Sequence, residues 1–152
     1  MQEDCLKVTG HIEFVVKDLN GNVKQRHSTK NIVTTVGKAY LAAWLAQPSQ
    51  STPFMTYVGL GTGTSPASAT DTALQAELTV AGYSRALAAL SSVSTSWVSE
   101  SIFPAGDGTA TITEAGIFSA ATGGTLFAHQ VFSPIGKTAT DELTITWSVT
   151  FS

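Results

Sequence analysis

Near the end of the chain Leu143, Ile145, Trp147, Val149 and Phe151 alternate without a break with Thr144, Thr146, Ser148 and Thr150. Side chains repeat every two residues on a strand and every 3.6 on a helix, so only a strand gives this segment one apolar and one hydroxyl-bearing face. Exposing the apolar row would forgo about 1.5–3 kcal/mol per large side chain. The segment must therefore tuck into a sheet. The same period governs Leu6–Lys17, where Leu6, Val8, Ile12, Phe14 and Val16 oppose Lys7, Thr9, His11, Glu13 and Lys17. Asn20-Gly21 then supplies hairpin-turn chemistry, and a polar strand returns from Val23 to about Thr29. Its Lys24 and Arg26 guard an edge against stray pairing.

The period changes once. Val36, Tyr40, Leu41, Trp44 and Leu45 follow helical spacing, with Thr34 or Thr35 to cap the start and Pro48 to stop the helix. Gln47–Pro53 reads as a polar loop and Met55–Leu60 as a short strand. Asp71–Leu78 reads as one or two helical turns, and strands are expected over Tyr83–Leu90, Val93–Phe103, Ala110–Phe118 and Thr125–Phe132. This pattern predicts an all-β, antiparallel β-sandwich of jelly-roll type with one short helix and an N-terminal hairpin. Residues 1–30 are expected as a hairpin arm and 31–152 as the sandwich body, within a single domain.

A chain of 152 residues is 43 % hydrophobic but only 12 % charged, about half the usual ~25 %. Its surface must be rich in Ser, Thr, Gly and Ala, which suits a subunit packed among neighbours because charge keeps proteins apart. Met1–Lys38 carries six basic against four acidic residues; the remainder carries two against seven. A net charge of −3 and the lack of a Lys/Arg cluster interleaved with aromatics argue against nucleic acid. Cys5 stands alone and is expected to be inert, so no disulfide or thiolate cluster is available within the chain. Met1–Asp4 lacks signal-peptide character, and no apolar run reaches the ~20 residues of a membrane span. A soluble protein made in a cytoplasm, with no membrane partner, is expected.

No catalytic signature frames any residue. Gly59, Gly61 and Gly63 follow a strand, but no Lys-Ser/Thr ending or GxGxxG follows; the run is expected to shape a strand bend. His11, His27 and His129 lack metal-site spacing, and a hairpin about Asn20 sets His27 opposite Glu13 as a cross-strand polar pair. No elbow frames a serine to join Asp107, Glu114, Asp141 or His129 in hydrolysis. Glu100 and Glu114, on strands taken as neighbours, are the carboxylates that glycosidic chemistry would need. Trp44, Trp97 and Trp147 lie on apolar stripes, favouring core or subunit contact over a sugar-binding face. Arg85 is alone in an apolar strand, which calls for a carboxylate partner such as Glu77 or Glu114; the structural ion pair expected is Arg85 with Glu114. Neither enzyme activity, cofactor nor metal is expected.

One resemblance spans about Asn31 to Ser152. Asn31-Ile32-Val33-Thr34-Thr35-Val36-Gly37-Lys38, Tyr57–Thr64, Ala69–Leu74, Ile112–Phe118, Gly124–Ala128, Phe132–Lys137 and Asp141–Phe151 resemble a module of tailed-bacteriophage virion proteins. Proteins of this kind include capsid decoration (cement) proteins and domains of tail-fibre or tail-collar proteins. The resemblance implies a β-sandwich and usually a homotrimer. The chain shows no fibrous shaft, so the expectation is a decoration protein on the capsid surface of the virion, bound to the major capsid protein. Leu6, Lys7, Val8, Lys17, Lys24 and Arg26, in the segment that departs most from the pattern, are the expected capsid or neighbour contacts. The alternatives are a tail-fibre or collar adaptor and, in another class, a carbohydrate-binding adhesin.

Overall fold

The computed structural model describes residues 6–49, 54–80 and 82–152. Nine strands and one helix follow in chain order: β1 (Val8–Lys17), β2 (Val23–Val33), α1 (Thr35–Leu45), β3 (Tyr57–Gly61), β4 (Ala86–Leu87), β5 (Ala89–Val93), β6 (Ser96–Phe103), β7 (Ala110–Phe118), β8 (Leu126–Lys137) and β9 (Glu142–Phe151). All pair antiparallel in one sheet of order β4-β3-β7-β8-β2-β1-β9-β6-β5. The sheet folds back on itself through β2. Most of β2 pairs with β1, while Ile32 and Val33 pair with β8 in the opposite layer. The result is an antiparallel sandwich with a short helix and an N-terminal hairpin, its two layers joined into one sheet.

The core lies between the layers, where Ile12, Phe14 and Val16 of β1 and Ile145, Trp147 and Val149 of β9 meet Val58, Leu60, Ile112, Ile117 and Phe127. Alternation in β9 is kept to its end, with Leu143, Ile145, Trp147 and Val149 fully buried. β1 pairs with β9 along all ten of its residues. The described part of the expected arm, residues 6–30, is therefore within the sheet and the core rather than apart from a body at 31–152. Met1–Asp4 and Cys5 lie outside the described residues, as does most of the expected loop at 50–53.

The hairpin turn is made by Asp18, whose carboxylate accepts the N–H groups of Asn20 and Asn22, and by Gly21 at φ +82°. The register sets His27 opposite Phe14, not Glu13; Arg26 reaches Glu13 instead, at 3.1 Å. Thr34 caps α1 by accepting from the Gly37 N–H, and its own hydroxyl donates to the Leu126 carbonyl. Only part of the helix stripe is covered: Tyr40 and Leu41 pack on the core, whereas Leu45 is 63 % exposed.

Three sequence expectations change. Residues 71–78 form no helix; Ala76–Leu78 runs back beside β3, with the Thr62 N–H on Ala76 O and the Leu78 N–H on Leu60 O. The expected strand Tyr83–Leu90 shortens to β4 and joins β5 through Ala88, whose N–H bonds Thr56 O. β8 continues through Pro134 to Lys137, because Phe132–Pro134 faces Thr113 alone at a register shift, the kind of site that tolerates proline. Among the described residues no helix is long and apolar enough to cross a membrane.

Candidate functional site

Two regions stand out: a buried polar cluster beneath the 62–78 segment and an apolar groove on the opposite sheet edge.

The cluster begins with glycines. Gly59 and Gly61 on β3 and Gly116 on β7 leave room on the outer face of this layer for the side chains of Glu77, Arg85, Glu114 and Leu74, and a Cβ on Gly63 would fall 2.6 Å from Glu114 Oε1. The run therefore makes room for a carboxylate instead of bending the strand. The irregular β7–β8 register turns Thr113 and Glu114 toward the same segment: Thr113 Oγ1 donates to Gly63 O at 2.8 Å, and Glu114 Oε1 accepts the Gly63 N–H at 3.0 Å. Glu114 also accepts the N–H groups of Ala76 at 2.7 Å and Gln75 at 3.0 Å. Its Oε2 lies 3.0 Å from His129 Nε2, while His129 Nδ1 lies 2.7 Å from Asp71 Oδ2. Glu114 and His129 are fully buried.

Burial would raise the Asp71 carboxyl, but the Ser68 N–H and His129 outweigh it and hold it below its ordinary value. One carboxylate that accepts three backbone N–H groups and an imidazole fastens the whole 62–78 segment to the sheet. Both ring nitrogens of His129 are engaged and its side chain is fully buried, so the cluster fastens the segment to the sheet. His27 lies elsewhere, beside Phe14 and Phe132.

Arg85 belongs to this face but pairs with Glu77 (Nε to Oε1, 2.6 Å), not with the expected Glu114. Its guanidinium also donates to Ala120 O and Gly123 O and lies 3.4 Å above the Phe118 ring. The reason for the correction is spatial: Glu114 is already saturated by backbone donors, and Glu77 on the returning segment is the carboxylate within reach. Glu100 and Glu114 are not neighbours either, since β6 and β7 lie five positions apart in the sheet.

The six expected contact residues do not come together. Leu6 and Val8 lie at one end of β1 and Lys17 at the other, roughly 30 Å away at ~3.3 Å per residue. Lys7 is joined by its backbone to Ser152 at both N–H and C=O. Lys24 is bound to the buried carboxylate of Asp141 at 2.8 Å and Arg26 to Glu13, so each has an intramolecular partner. Of the six, Leu6, 70 % exposed, borders an open apolar surface.

That surface is a groove of about 640 Å³ between α1 and β5–β6, with Leu41, Trp44, Leu45, Phe54, Leu90, Trp97 and Phe151 among its walls and no charged residue. Phe54 sits at its centre, its ring 5.3 Å from Trp44 and 5.6 Å from Trp97. Sequence reasoning assigned Trp44 and Trp97 to core or interface without seeing that they share a wall. The cluster was missed although its signal was present: Glu114 and His129 are lone ionisable residues in apolar strands, as Arg85 is.

Residues 31–148 match the family described as podophage GP4 fiber I protein gp80. The chain belongs to this family. It is a structural protein of tailed phage, and the fibre-protein match takes in the helix, the Glu114–His129 cluster and most of β9, while β1 falls outside the matched residues. No curated protein and no solved structure matches the chain.

Proposed function

We propose that the protein is a non-enzymatic subunit of the phage tail, a fibre component that works by binding other virion proteins. The observation that carries this reading is the fibre-family match over residues 31–148. Two features of the molecule support it. Glu114 and His129 of the acid–histidine cluster are fully buried, and the groove between α1 and β5–β6 is apolar and uncharged, suited to a protein surface more than to a polar substrate. Decoration of the head, with the major capsid protein as partner, is the competing assignment, and location separates the two. Quantitative gel densitometry of purified particles, tails and tailless heads is the test. A fibre subunit is present in few copies and leaves with the tail; hundreds of copies retained on tailless heads would overturn the tail assignment in favour of decoration.

A further inference from the structure

Among the open edges of this sheet, those of β2 and β5 are built differently. In β2 only Ile32 and Val33 pair with β8, so Val23–Lys30 has one side unpaired; Lys24, Arg26 and Lys30 stand along it. Charges of this kind keep an edge from pairing with another chain. At the end of the sheet, the run Ala86–Val93 carries no charge and no proline. All five residues of β5 are exposed, with Leu90 at 38 % and Val93 at 65 %, and Leu87 of the same run is 68 % exposed. No strand among the described residues pairs with the outer side of β5. An apolar, unguarded edge is a template for another strand.

The edge continues into the groove, whose walls add Leu6 and Leu45, 70 % and 63 % exposed.

We propose that the β5 edge, Ala89–Val93, pairs antiparallel with the same edge of a second copy of this chain, about a two-fold axis at Ser91. Charge favours this occupant. A two-fold contact sets every group near the axis against its own copy, so any charge there meets its like. The run has none, whereas the same pairing through Val23–Lys30 would oppose cation to cation. Antiparallel pairing at Ser91 sets Leu90 against Ser92 and Ala89 against Val93, extends the sheet across both molecules and satisfies the outward N–H and C=O groups of β5. The proposal does not depend on where in the virion the protein sits.

The test is the mass of the purified full chain by sedimentation equilibrium from ~1 to ~100 µM, a span that brackets a micromolar dissociation constant. Wild type is expected as a dimer, or an even-numbered oligomer built from it. Ser91→Lys brings two ammonium groups together at the axis and is expected to weaken association about 100-fold or more, as is Val93→Lys; the control Ser28→Lys, on the charged edge, leaves it unchanged. Circular dichroism establishes that each variant is folded, and Val93→Lys serves if Ser91→Lys is not. A monomeric wild type, an oligomer of any size that the folded β5 variants leave intact, or equal disruption by Ser28→Lys would overturn the proposal.

Discussion

The two faces flanking this sheet treat polar and apolar groups in opposite ways. Beneath the 62–78 segment, ionisable groups are drawn inward and paired: Glu114 with three backbone N–H groups and His129, His129 with Asp71, and Arg85 with Glu77. On the β5 side, apolar groups are turned outward and the groove beside them is lined by no charged residue. In a chain with so few charges, the difference matters. Several charges that appear in sequence to be available for partners, Lys24, Arg26 and Arg85 among them, are engaged in internal ion pairs. A buried ion pair is weak evidence for stability but fixes one arrangement strongly, because removing one partner strands the other.

The largest effect that would break this contrast is expected at Glu114. Glu114→Ala leaves three N–H groups and His129 without their acceptor, and urea unfolding should show a loss of about 3–5 kcal/mol, the range for breaking a buried charged pair. A loss below ~1 kcal/mol would mean that the segment is held by other contacts. Arg85→Ala removes the pair with Glu77 and the packing on Phe118; because Glu77 keeps some exposure, the expected cost is smaller, about 2 kcal/mol. A third test uses pH. Lys24 and the Thr138 N–H hold the Asp141 carboxyl down to about 2, against its ordinary 3.8. A lowered folded value means that Asp141 contributes its full stabilisation above about pH 4 and loses it as the pH falls through 2. Thermal melts of Asp141→Asn should accordingly lack part of the acid-induced fall of the wild type. On the open side the prediction is near silence: Leu87→Ser should change unfolding free energy by no more than about 0.5 kcal/mol, since the residue is mostly exposed.

Much of the fold was legible because alternation is a local signal. β7 lies over Ala110–Phe118 as the pattern placed it, and β1, β9 and the helix differ from expectation by two residues or fewer at either end. The failures share a physical origin in tertiary contacts. Residues 71–78 have helix-start chemistry, but Glu114 offers their N–H groups a better acceptor than a helix would, so the segment lies extended against β3. The length of β8 depended on a register shift that makes Pro134 acceptable within a strand. The partner of Arg85 turned on which carboxylate the backbone had already saturated, a fact that no spacing reveals. Residues 6–30 looked like an arm because the segment is rich in Lys and Arg. They belong to the body because Ile12, Phe14 and Val16 between them fill the core.

Hydrogen exchange compares the two open edges within one molecule and in one sample. Amide exchange followed by mass spectrometry at dilute and concentrated protein should show Ala89–Val93 gaining protection with concentration while Val23–Lys30 exchanges at the same rate in both. Protection that rises instead along Val23–Lys30, or at neither edge while the protein associates, would contradict the account.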